Sequence, residues 1–428
     1  MDIKRINIKE GINLTVITDK KFKTDITSVA FLCGYGAEAA VCSALLTGVL
    51  SRCCIKYPSL MELNRTLDGL YDAQLVSDAS RRGFNHVPTF TVSSLNNRYS
   101  LDKTDIRGGC LDVLYSIIFE PGLKNGYFDN KILQSEKLQL KDAINGIRNS
   151  RSSYAIRRCT EALMADQPLY APRLGRPEDI DGITPAVLTG FYCDMLKNSS
   201  VEILSVSSDD DGRITEFAAR LSDMLGERKP GAVLTQEYKM PGKRIKRVSE
   251  QAGISQDVLC VGCEYDGSSE DYSRSAERTL FYEILFQNPT SYLFENVREK
   301  LSLCYYCSAL PMIDLKKLII YAGIDRKNAK RAEEEIKKQL DLIKRGVSED
   351  DINRCRLALK NDLLAVADSP SRTAAWYARR AFYGGITETV QEFSAKLDTL
   401  KSEDVQRAAS SAVPSLVFTM KGGADSEA

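Results

Sequence analysis

The 428-residue sequence contains one histidine, His86, and two Cys-x-x-Cys pairs, Cys260/Cys263 and Cys304/Cys307, among 12 cysteines. Catalytic zinc sites as a rule draw on several imidazoles, so one histidine does not supply such a site within this chain. His86 lies in the stretch 83–90, GFNHVPTF, between two strand-like segments, where it is expected as a hydrogen-bonded turn or sheet residue. A Ser-His-Asp triad would have to be built on it, and no Gly-x-Ser-x-Gly elbow is present. The cysteine pairs fall in LCVGCEY and LCYYCSAL, both of which read as strands. Residues i and i+3 of an extended strand point to opposite faces, so neither pair is expected to chelate a metal. Core packing is the expectation for most of the cysteines. Gly34-Tyr35-Gly36 lacks the third glycine and downstream acid of a dinucleotide loop, and reads as a strand-end turn.

Charge sets further bounds. Lys plus Arg number 58 and Asp plus Glu number 58, which argues against a broad electrostatic grip on nucleic acid or anionic membrane. The N-terminal segment lacks the apolar core of a signal peptide, and no stretch approaches the ~18 apolar residues of a spanning helix. The expectation is a cytoplasmic protein with no nucleic-acid or membrane partner.

The elements that must position any site are set by periodicity. Ile12, Leu14 and Val16 alternate with polar residues as a half-buried strand, and Asp25–Gly34 gives a second, so the two read as a hairpin or meander. A helix is expected over 43–54, and Ser59 with Glu62 forms a capping box for the next. Strands are expected at 73–80 and 86–95, helices near 110–119 and 126–147 and beyond 153, and a strand at 201–208. Residues 227–250, with Pro-Gly punctuation and a basic run, read as a linker.

The segment after the linker repeats the segment before it. SVAFL at 28–32 corresponds to DVLCV at 257–261, the stretch 63–76 to 294–310, DAINGIR at 142–148 to DDINRCR at 350–356, and 183–196 to the helix after 400–405. These offsets stay at about 210–230 residues. The fold class expected is α+β, with two homologous halves, 1–226 and 251–428, each packing helices on a largely antiparallel sheet, in a clamshell.

The duplicated halves, the helix leading into Lys56-Tyr57-Pro58-Ser59 and the stretch LYAPRLGRPEDI at 169–180 resemble the insulinase/pitrilysin family of inverzincin peptidases. FENVREKLSLCYYCSA at 294–309 is similar to that family's Leu-Arg-Glu-Lys-x-x-Leu-x-Tyr signature. The resemblance spans nearly the whole chain. It is nearest to non-catalytic subunits encoded beside an active partner in bacteria such as bacilli and clostridia, relatives linked with modification of elongation factor P.

Active members carry His-x-x-Glu-His on the first helix, two imidazoles on one face to hold zinc and a glutamate as general base. Here the motif falls on Ala44-Leu45-Leu46-Thr47-Gly48, so Ala44 and Gly48 stand for the imidazoles and Thr47 for the base. The carboxylate ligand's place falls on Ala143, with Glu136 and Asp142 nearby. Arg298 and Tyr305 match the residues that, in active relatives, reach substrate beside the zinc. Arg suits a peptide carbonyl or carboxylate, and Tyr can donate to a tetrahedral oxyanion. The plainer alternative is that Arg298 pairs with a helix carboxylate and Tyr305 packs in a sheet.

The resemblance therefore implies a chain with no catalytic residues or metal of its own, not a peptidase by itself. It would be the silent subunit of a heterodimeric zinc peptidase, with zinc in a homologous partner and Arg298 and Tyr305 contributing to peptide binding as the chain closes the chamber. The alternatives are a non-cleaving, peptide-binding homo-oligomer, or an enzyme using the Cys-x-x-Cys pairs as a metal or redox site.

Overall fold

A computed structural model describes residues 1–234, 244–252, 256–265, 275–383 and 388–422. The chain forms two compact units, one of residues 1–145, 169–234 and 364–389, the other of residues 146–168, 235–363 and 390–428.

The first unit is built on a six-stranded sheet in the order β1-β2-β6-β3-β5-β4. Its strands are β1 (Asp2–Lys9), β2 (Ile12–Thr18), β3 (Thr24–Leu32), β4 (Gln74–Arg82), β5 (Asn85–Leu95) and β6 (Ser200–Ser207). The expected β2–β3 hairpin does not form. β6 lies between these two strands, parallel to β2 (Leu14 opposite Ile203) and antiparallel to β3 (Val29 opposite Ile203). The reason is burial: all of β6 after Ser200 is buried, and such a strand gains most in the centre of the sheet. β2 instead makes its hairpin with β1, a strand that periodicity does not mark because DIKRINIK is charged and half exposed. Gly11, at φ +73, makes the turn between them.

The second unit repeats the plan with five strands, β7 (Lys246–Gln251), β8 (Asp257–Tyr265), β9 (Cys304–Met312), β10 (Lys317–Ile324) and β11 (Ala412–Lys421), in the order β7-β11-β8-β10-β9. β11 runs parallel to β7 and antiparallel to β8, as β6 does to β2 and β3. The repeats read from SVAFL and DVLCV are thus β3 and β8, equivalent strands of equivalent sheets. The expected linker ends early: its last residues, from Lys246, already form β7, while 235–243 lie outside the described residues.

The helices that bear on the sites are α1 (Gly36–Leu50), α2 (Leu60–Gly69), α3 (Ile106–Phe119), α4 (Asn130–Gly146) and α5 (Arg151–Leu163). Ser59 caps α2 by accepting from the Glu62 N–H, as expected. The helix Glu349–Ala367 is capped by Ser348, which accepts from Asp351, and buries the stripe Ile352, Cys355, Leu359 and Leu363.

The units do not follow the sequence halves. Ala155 and Cys159 of α5, from the first half, join the second unit's core with Val258, Cys260, Ile319, Leu416 and Phe418. α5 approaches so closely that a Cβ on Gly262 would stand 2.8 Å from Leu163 Cδ1. Reciprocally, the helix Pro370–Ala381, from the second half, packs on β6 and β3 of the first unit. Repeat matching could not reveal this exchange, because it aligns the two copies without saying which sheet each helix covers.

Candidate functional site

α1 is apolar almost throughout. Ser43, Leu45, Leu46, Thr47, Val49 and Leu50 are buried, whereas Ala44 and Gly48, one turn apart, are part-exposed. These are the two positions at which the family resemblance places imidazoles, side by side on one helix face. The Thr47 hydroxyl is spent within the helix, donating to the Ala44 carbonyl at 2.8 Å.

The side chain that reaches this place comes from α4, and it is Glu136. A Cβ on Gly48 would stand 3.0 Å from Glu136 Cδ and 3.3 Å from its Cγ, with Oε2 nearer still. Glu136 is 8% exposed, and Arg52 Nε donates to its Oε1 at 2.6 Å. Arg52 Nη2 also donates to Gln139 Oε1 at 3.0 Å. Ala143, expected at the carboxylate's place, is exposed, as is Asp142. Neither makes the contact; Glu136, two turns earlier, does.

Zinc does not fit these residues. The space of one imidazole is filled by a carboxylate, and a guanidinium already neutralises that carboxylate. Among the described residues no three His, Cys, Asp or Glu side chains gather as a ligand set. The motif does not single out Arg52, which lies in the turn just after α1, its N–H donating to the Val49 carbonyl at 3.2 Å.

His86 lies elsewhere, fully buried in β5, and its backbone pairs with Cys33 and Gly34. It is a sheet residue as expected, but among the described residues neither ring nitrogen finds a hydrogen-bond partner. Burial, with the nearby Arg81 charge, pushes its pKa down to about 3, so the imidazole is neutral and inert at neutral pH.

In the second unit, Arg298 sits in the last turn of the π-helical segment Leu293–Lys300. The chain then turns through Ser302 at φ 48, with the Ser302 and Leu303 N–H groups donating to the Arg298 and Val297 carbonyls, both at 3.0 Å. This turn delivers Tyr305 into the first residues of β9. Tyr305 is 59% exposed, and its hydroxyl donates to Asp325 Oδ1 at 2.9 Å. The Arg298 side chain is 42% exposed, stacks 4.6 Å over the Phe294 ring, and its nearest carboxylate is that of adjacent Glu299 at 3.5 Å. Tyr305 is therefore exposed rather than packed in the sheet, whereas Arg298 pairs with a carboxylate of its own helical segment, Glu299, as the plainer alternative expects.

The cysteine pairs divide. Cys260 and Cys263 follow the alternation of β8. Cys260 faces α5, with Cys159 as its thiol neighbour, and Cys263 faces Lys337 and Lys344 on the opposite side. In β9, Cys307 lies opposite Ala322, Tyr306 opposite Gly323, and Cys304 opposite Ile324. Tyr305 is thus an extra residue, a β-bulge, and the bulge puts Cys304 and Cys307 on the same face. The expectation that i and i+3 must diverge fails here because it assumed an unbroken strand.

Two α+β units of one plan carry Glu136 against Gly48 in the first, part-exposed Arg298 and exposed Tyr305 in the second, and no metal-ligand set among the described residues. Residues 182–359 match the family described as the peptidase M16 inactive domain. A probable inactive metalloprotease of Bacillus subtilis (strain 168) is 24% identical over 413 residues, 96% of each chain. Among solved structures, a conserved protein from Enterococcus faecalis V583 superposes over 100% of both chains with a TM-score of 0.89 and 23% identity. A peptidase M16 inactive domain from Pseudomonas fluorescens gives 0.81 at 16% identity, covering 99% of this chain and 98% of that one. Residues 182–359 thus match a peptidase domain of the inactive M16 type, and over its whole length the chain is similar to a probable inactive metalloprotease and shares the fold of M16-like structures.

Proposed function

We propose that this chain is the silent subunit of a heterodimeric zinc peptidase, closing the chamber and lending Arg298 and Tyr305 to peptide binding. The carrying observation is the contrast between the two units. Glu136, itself tied to Arg52, lies against Gly48, while Tyr305 is exposed and Arg298 part-exposed. A homologous partner bearing the intact zinc motif supplies the hydrolytic chemistry. Arg298 is suited to hold a peptide carbonyl or terminal carboxylate, and Tyr305 can turn its hydroxyl from Asp325 toward developing negative charge. The assembly would work in the cytoplasm.

The test is to mix the purified chain with a His-x-x-Glu-His homologue encoded beside it. The proposal expects a one-to-one complex on sizing and peptide hydrolysis that needs both chains. A partner that cleaves equally well alone, with no complex formed, overturns it.

A further inference from the structure

The strand that carries Tyr305 also carries two thiols, which the peptide-binding proposal does not use. β9 is the edge strand of its sheet, and its bulge at Tyr305 turns Cys304 and Cys307 to one face. In register they stand opposite Ile324 and Ala322, neighbouring positions on one face of the sheet, so the two residues are adjacent there. Cys304 is part-exposed and Cys307 buried, so one sulfur faces the surface and the other waits behind it. The Arg298 guanidinium lies close enough to act on the Cys304 sulfur.

We propose that Cys304 and Cys307 form a redox-active dithiol, in which Cys304 reacts with a peroxide and Cys307 resolves the product to a disulfide. The Cys304 thiolate attacks a peroxide oxygen. An S–O bond forms, the O–O bond breaks, and hydroxide, or an alkoxide from an organic hydroperoxide, leaves with the electron pair and takes up a proton. The sulfur is oxidised to sulfenic acid and the peroxide is reduced. Cys307 then attacks the Cys304 sulfur as it gives up its proton. An S–S bond forms, the S–O bond breaks, and water carries away that proton. No oxidant beyond the peroxide is needed.

The electrostatics agree with this division of roles. The neighbouring Cys307 thiol, then the Arg298 charge, holds the Cys304 thiol below its ordinary value against the opposing effect of burial. Cys307 is pushed up by its neighbour Cys304 and by burial, as suits a thiol that stays protonated until it attacks. Cys53, the other part-exposed cysteine, is shifted upward instead, chiefly by burial. The disulfide would tighten the bulge that presents Tyr305 and remove the negative sulfur beside Arg298. Oxidation would therefore reset the Arg/Tyr pair.

The full chain is treated with hydrogen peroxide, alkylated, digested and mapped by mass. The proposal expects a Cys304–Cys307 disulfide to form first, at least about tenfold faster than oxidation of the exposed Cys193. Cys307→Ser should accumulate a Cys304 sulfenic acid that dimedone captures, and Cys304→Ser should abolish both products with circular dichroism unchanged. The proposal is overturned if Cys193 or Cys53 reacts first, if Cys307→Ser yields no adduct at Cys304, or if the untreated protein carries stoichiometric zinc that Cys304→Ser removes.

Discussion

Gly48 is the position at which the filled metal place can be tested by energy rather than by absence. In an open helix, Gly→Ala gains about 1 kcal/mol. Here the added methyl would meet Glu136 Cδ at 3.0 Å and Cγ at 3.3 Å, so Glu136 must leave its bond to Arg52. That charge-assisted hydrogen bond contributes about 1.5–3 kcal/mol. Gly48→Ala is therefore expected to destabilise the first unit by about 0.5–2 kcal/mol. In a Glu136→Ala background the obstruction is gone, and the same substitution should stabilise by about 1 kcal/mol, a coupling of about 1.5–3 kcal/mol across the double-mutant cycle. The assay is urea unfolding followed by tryptophan fluorescence. The only tryptophan, Trp376, lies in the helix Pro370–Ala381 of the first unit and so reports that unit. If Gly48→Ala stabilises equally in both backgrounds, Glu136 does not occupy the vacated place and the reasoning fails.

Two other outcomes are expected from the same unit. His86 has a folded-state pKa of about 3, below its ordinary 6.5, so keeping it neutral contributes stability that is present above pH 6.5 and lost as pH falls through about 3. Between pH 7 and pH 5 that loss is about 2 kcal/mol. His86→Leu should remove it, and urea titrations at the two pH values that give the same difference for both proteins would refute the assignment. Arg5 forks onto buried Glu202 with Nη1–Oε2 at 2.9 Å and Nη2–Oε1 at 2.8 Å. Arg5→Ala should cost about 3 kcal/mol by stranding the carboxylate, whereas a loss under 1 kcal/mol would show that water replaces the guanidinium.

The two-unit plan was legible because strand patterns such as SVAFL and DVLCV recur at equivalent sheet positions, and because Ser59 caps where its spacing from Glu62 says it should. The placement of the degenerate motif on Ala44, Thr47 and Gly48 rests on residue types and the family resemblance alone. What could not be read were relations between distant segments. The insertion of β6 between β2 and β3, the exchange of α5 for the helix Pro370–Ala381, and the reach of Glu136 rather than Ala143 to Gly48 all depend on tertiary packing. The bulge at Tyr305 is the sharpest case. One unpaired residue reverses the facing of every side chain before it, and nothing in CYYC announces it.

If, as proposed, this chain completes a site whose metal belongs to a partner, Arg298 must reach the substrate bound there. The most direct test is the steady-state hydrolysis of a peptide by the assembled complex carrying Arg298→Ala in this chain. Arg298 lies on the surface and its loss should leave folding and assembly intact. The account predicts that kcat/KM falls at least about tenfold, the effect of removing a charge-assisted contact to substrate, while the complex still forms at the same concentration. A complex that assembles and cleaves at the unaltered rate would contradict it.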